Sequence, residues 1–111
     1  MTDSILRTED ALREVYGHAS GRAAIKAIPA LDPHCRRFIE LSPFLVMGSA
    51  AKDGAADVSP KGDMPGFVQV PDEHTLVIPD RPGNRRIDSM TNIVENPHVA
   101  VIFMIPGISE T

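Results

Sequence analysis

Phe44-Leu45-Val46-Met47-Gly48-Ser49, the turn residues Lys52-Asp53-Gly54, and then Ala55 to Ser59 decide the fold class. The first six residues are a short apolar run, the pattern of a buried strand. Lys52-Asp53-Gly54 is a turn signal, so Ala55 to Ser59 returns as the hairpin partner. The stretch from Pro60 to Gly66 holds two prolines and two glycines and reads as a loop. Further strands follow at Phe67 to Val70, ahead of a Pro71-Asp72-Glu73 turn, and at Thr75-Leu76-Val77-Ile78, closed by Pro79. Val99 to Ile105 is the most hydrophobic strand of the chain.

Upstream the period is helical. Thr8 caps a helix with Glu9 and Asp10 in its first turn, an apolar stripe of Leu12, Val15 and Tyr16, and a stop at Gly17. Ser20 opens a second, carrying Ala23, Ala24, Ala27 and Ile28 and ended by Pro29. Asp32-Pro33 starts a third, with Cys35, Phe38 and Ile39 on one side, which stops before Ser42-Pro43. Downstream, Asn84 starts a helix with Ile87, Met90 and Val94 on its inner face, ended by Asn96-Pro97. The organisation is one domain: an N-terminal helical segment, 1–43, and a strand-rich portion, 44–111.

Composition excludes several classes. At 111 residues the chain is a single domain, and ten prolines, about twice the ordinary share, exclude an all-helical bundle. A net charge of −4 leaves no Lys and Arg excess for general nucleic-acid binding. No apolar run reaches the ~18 residues of a membrane span, and Met1 to Arg13 lacks a signal-peptide core. Cys35 is the single cysteine, so a disulfide within the chain and a Cys-rich zinc site are excluded, and a reducing cytoplasm is the simplest home. His18, His34, His74 and His98 match no ligand spacing, and no metal site is assigned. The sheet expected from Phe44–Ser49, Thr75–Ile78 and Val99–Ile105 carries more apolar surface than the three short N-terminal helices cover. That predicts a dimer burying a largely apolar face. With its strongest strand six residues from Thr111, the chain also reads as a fragment of a longer protein.

The sequence has no G-x-S-x-G elbow, no G-x-G-x-x-G and no P-loop, and no catalytic residue is assigned. Two segments carry possible chemistry. In Asp57-Val58-Ser59-Pro60-Lys61-Gly62-Asp63 a strand runs into a Gly- and Pro-rich loop with one lysine, a set of amides, hydroxyl and ammonium that suits an anionic, polyhydroxylated ligand. The same composition also suits a wide surface turn. In Ile78-Pro79-Asp80-Arg81-Pro82-Gly83-Asn84-Arg85-Arg86, two arginines occupy a helix start that ordinarily prefers acids. A bound phosphate would account for them; so would neighbouring Asp80 and Asp88.

The order strand, S-P-K-G-D-x-P-G-F, strand, I-P-D-R-P-G-N-R-R, helix, E-N-P-H-V-A-V-I-F resembles the pyridoxamine 5'-phosphate oxidase-related, FMN-binding split-barrel family. It is closest to a subgroup of flavoproteins carrying D-V-S-P-K/R-G-D and D-R-P-G-N, and the likeness covers roughly Asp32 to Thr111. The resemblance implies a mainly β fold with α, a split barrel with N-terminal helices, incomplete in this chain. It implies a homodimer with FMN held between subunits. Flavin-lining residues would be Val58, Ser59, Pro60, Lys61 and Gly62, with Ile78 and Pro79 at the end of the next long strand. Asn84, Arg85 and Arg86 would grip the phosphate, and Arg81 belongs to the subgroup's D-R-P-G insertion. The implied activity is that of an oxidoreductase on an unidentified small molecule. The alternative is a non-catalytic module that binds flavin, deazaflavin or haem, or serves only dimerisation; for haem, His74 and His98 are the candidate ligands. Substrate-binding residues of the oxidase proper come from a later part of the barrel, so none is assigned.

Overall fold

Thr8 opens the first helix as its sequence requires: its hydroxyl accepts the Ala11 N–H at 3.0 Å, and Gly17 closes the helix at φ 73°. The computed structural model describes residues 7–17, 27–80 and 88–111, and all that follows concerns those residues. The first helix, α1, spans Glu9–Tyr16; its stripe residues Leu12 and Val15 are exposed. The second predicted helix falls largely on residues 18–26, outside the described residues, while Ala27 and Ile28 are not helical. Helix α2 is Pro33–Leu41, with Asp32 Oδ1 accepting the Cys35 N–H at 2.8 Å and proline in the first turn. It buries Ile39 and half-buries Cys35 and Phe38, as the spacing predicts.

Strands β1 (Phe44–Ala50), β2 (Ala56–Gly62) and β5 (Ala100–Met104) form an antiparallel sheet in the order β2-β1-β5. Strands β3 (Gln69–Asp72) and β4 (Thr75–Val77) form a separate hairpin. Thr75–Val77 therefore does not join the strands from Phe44 and Val99 in one sheet, contrary to the sequence expectation. The second correction is that β3 runs through Pro71 and Asp72, so the turn is moved on to Glu73 and His74. The strand tolerates Pro71 because the pairing shifts register between Gln69 and Asp72, and a bulge residue has no ladder bond to lose. Asp72 closes the turn by accepting the His74 N–H at 2.8 Å and the Thr75 hydroxyl at 3.1 Å.

The core lies on one face of the three-stranded sheet. Leu45 and Met47 of β1 are buried there with Ile39 and Val68, and Leu31, Phe67, Val70, Leu76, Ile78, Ile93, Val101 and Phe103 pack around them. Helix α3 (Asp88–Glu95) contributes Ile93 and ties Asn92 Nδ2 to Ser49 Oγ at 3.1 Å. Met90 and Val94 are exposed, Val94 at 86%, so the predicted inner face is wrong by one position; Ile87 lies outside the described residues. Ser42, fully buried, joins α2 to the sheet: its hydroxyl lies 2.8 Å from Phe44 O and 2.7 Å from Met104 O. After β5, Ile105-Pro106-Gly107-Ile108 reverses the chain, with Gly107 at φ 86° and Ile108 N–H bonded to Ile105 O at 3.0 Å. Proline then glycine supply the two backbone conformations that this turn needs.

The other face of the sheet is uncovered among the described residues. Register places Phe44, Val46, Gly48, Ala50, Ala56, Val58, Pro60, Gly62, Ala100, Ile102 and Met104 on it. None of these side chains is polar. Val58 is 69% and Ile102 54% exposed.

Candidate functional site

The strand expected to end at Ser59 runs on through Pro60, Lys61 and Gly62, which are strand and not loop, and this changes what the segment can do. All seven residues of β2 pair with β1, Pro60 opposite Val46 and Lys61 opposite Leu45. The physical reason lies in the strand's place. β2 is at the sheet edge, where a residue whose N–H points outward can be proline at no cost to the ladder.

The direction of each main-chain group follows from two hydrogen bonds at the ends of the pair. Ala51 N–H donates to Ala55 O at 2.8 Å, and Asp63 N–H donates to Pro43 O at 3.0 Å. Both continue the register of β1 with β2, and antiparallel pairs alternate between bonded and non-bonded positions. The bonded positions are thus Asp57, Ser59 and Lys61, whose N–H and C=O groups face β1. Ala56, Val58, Pro60 and Gly62 direct theirs outward, along the open edge. Pro60 contributes a carbonyl there and no donor.

Side chains alternate in the same rhythm. Val58 and Pro60 stand exposed on the apolar outer face, whereas Ser59 and Lys61 are half-buried on the core side, beside Met47 and Leu45. Gly62 is held close to the start of β1: a Cβ there would lie 3.2 Å from Pro43 O and 3.5 Å from the Phe44 ring. A side chain at 62 would push the edge strand away.

The remaining predicted residues lie apart. Ile78 and Pro79 follow β4 in the other sheet, both half-buried, with Ile78 against the buried cluster. Arg81, Asn84, Arg85 and Arg86 fall outside the described residues. The open cleft between α2, β4 and β5, about 500 Å³ and lined by Leu31, Cys35, Phe38, Leu76, Val101 and Phe103 among others, includes none of the predicted residues. Displaced protonation also lies near α2 and the β3–β4 turn. The Cys35 N–H bond holds the Asp32 carboxyl below its ordinary value, the His74 N–H does the same for Asp72, and burial pushes the Cys35 thiol up.

Reading side chains alone misses the outward main-chain groups of Val58 and Gly62. The signal was present in Pro60, because a proline inside a paired strand fixes which residues of that strand face out.

Comparison with protein families matches residues 31–109 to the model described as pyridoxamine 5'-phosphate oxidase, a family that typically binds FMN and includes oxidoreductases. No curated protein and no solved structure matches. The mixed α/β architecture with antiparallel sheets, unclosed among the described residues, is that of a partial split barrel. No helix of the described residues is long and apolar enough to cross a membrane.

Proposed function

We propose, from the premise that the chain belongs to the pyridoxamine 5'-phosphate oxidase family, that it is an FMN-binding flavoprotein and an oxidoreductase acting on a small molecule. The observation that carries this reading is the match over residues 31–109, because that stretch takes in every residue assigned to the cofactor. The exposed edge of β2 suits the group: apolar Val58 and Pro60 offer surface to a flat ring, and outward main-chain groups offer hydrogen bonds to its polar rim. When bound, the flavin supplies the redox chemistry, and the protein's part is to hold and tune it.

In this reading Lys61 brings positive potential to β2, and Ser59 and Gly62 complete the lining strand. Ile78, Pro79 and Arg81 lie along the stretch that leads to the phosphate-gripping residues Asn84, Arg85 and Arg86. A guanidinium matches a phosphate bidentately. The working unit is a homodimer with FMN at the subunit interface. Its support is the outer sheet face, which carries no polar side chain and which β2 borders. Contiguous apolar surface of this kind marks an interaction site.

An absorption spectrum of the purified protein with FMN tests the cofactor, and titration tests the phosphate grip. Each arginine–phosphate bond is worth about 1.5–3 kcal/mol, or roughly tenfold to hundredfold in affinity. Arg85→Ala with Arg86→Ala should weaken FMN strongly and leave riboflavin, which lacks the phosphate, almost unchanged. Equal losses for both ligands would overturn the phosphate assignment.

A further inference from the structure

Helix α3 docks on the sheet through its less apolar side. Met90 and Val94, one turn apart, are 48% and 86% exposed, while Asn92 and Ile93 meet the sheet. Turning the helix by about a third of a turn would bury Met90 and Val94 in place of Ile93, and hydrophobic burial alone favours that arrangement. Two polar ties oppose it. Asn92 Nδ2 donates to Ser49 Oγ at 3.1 Å, with Ser49 buried, and Glu95 Oε2 accepts the Lys52 N–H at 3.4 Å. Both ties run to the β1–β2 hairpin: Ser49 lies opposite Asp57 of β2, and Lys52 is in the turn.

A buried polar pair adds little net stability over an apolar pair of the same shape, but a partner left unpaired costs its full desolvation. Such a pair selects a position more than it stabilises one. We infer that the Asn92–Ser49 bond is a pin that fixes the rotation of α3 on the β1–β2 hairpin and thereby places the phosphate-gripping arginines. The inference rests on the phosphate reading above and names two positioning residues that act on it without touching the ligand. Arg85 and Arg86 stand three and two residues before Asp88, so turning the helix carries with it the chain that leads into it. Strand β2 is held to the same Ser49 through its pairing with β1. The pin therefore keeps the cofactor strand and the phosphate segment in one register, and a site whose support is loose by about 1 Å loses its grip.

Ser49→Ala with Asn92→Leu replaces the pin by an apolar pair in the full chain. The urea midpoint should stay close to that of the unaltered protein. FMN should bind about tenfold more weakly, the scale of one charge-assisted bond lost, and riboflavin, which lacks the phosphate, should bind as before. Adding Val94→Gln removes the competing apolar face and should restore most of the FMN affinity. Ser49→Thr, which keeps the hydroxyl, should leave both ligands unchanged. If the paired replacement unfolds the chain, Asn92→Ser, too short to reach Ser49, is read in the same way. Unchanged FMN affinity without the pin overturns the inference, as do equal losses for FMN and riboflavin, or a Val94→Gln change that restores nothing. In each of these cases the loss of FMN affinity on Arg85→Ala with Arg86→Ala would still stand. If those two changes weaken both ligands equally, the phosphate reading falls and this inference with it.

Discussion

Proline introduced at two adjacent positions of β2 should have opposite consequences for folding. Ser59 turns its N–H toward Met47, inside the sheet, whereas Val58 turns its own toward the open edge. Ser59→Pro removes a ladder bond and leaves a buried carbonyl on β1 without its donor, a cost of about 1–3 kcal/mol. The ring adds a steric penalty where it faces the neighbouring strand. Val58→Pro removes no bond of the sheet. Its preference for extended backbone at Asp57 suits a strand, and it restricts the unfolded chain, a gain of about 0.4–1 kcal/mol where the native geometry fits. The expected difference is at least about 2 kcal/mol, with Ser59→Pro the weaker. Urea unfolding of the ligand-free proteins measures it. At a slope of about 1–3 kcal/mol per molar, the two midpoints should lie at least about 0.7 M apart. Equal midpoints, or Val58→Pro the less stable, would refute the assignment of main-chain directions.

Ser42→Ala should cost about 1 kcal/mol, the low end for a buried hydrogen bond. The one hydroxyl proton is shared between Phe44 O and Met104 O, which register already pairs within the β1–β5 ladder; melting of the two proteins checks this. Stability should fall as pH drops through the carboxylate range, because the backbone N–H groups of Cys35 and His74 hold the Asp32 and Asp72 carboxyls below their ordinary value in the folded chain. Their contribution is present above that value and is lost as pH falls through the lowered folded values. Asp32→Ala should flatten that part of the melting-temperature profile. Ile102→Glu, on the outer face, should shift sedimentation from dimer to monomer without lowering helix and strand content by circular dichroism.

Local rules placed the elements whose signals are local. Thr8, Gly17 and the Asp32-Pro33 pair act through bonds to residues three or four away, and each makes the bond its type predicts. The β1–β2 hairpin was equally legible from its turn residues. What could not be read was set by neighbours distant in sequence. Pro60 suggests a loop until β2 is known to be an edge strand, and Pro71 suggests a turn until the bulge is seen. Val94 has the right spacing for an inner face, but it is Ile93 and Asn92 that meet the sheet. For the site, residue types in the β2 segment pointed to a ligand, while the strand's pairing decided which atoms face outward.

The two edges of the three-stranded sheet differ, among the described residues, in how readily each could receive a further strand. The β2 edge carries Pro60 in the strand, with Asp57 and Lys61 beside it, the features by which sheets refuse a further strand. The β5 edge, Ala100–Met104, has no proline and no charge, and by the same alternation Val101 and Phe103 direct their main-chain groups outward. A strand can therefore add on one side only. Two copies meeting through β5 would each bring their β2 edges to the ends of the joined sheet, where growth stops. Edge pairing between two copies of the described sheet would stop there and would give no route to a filament.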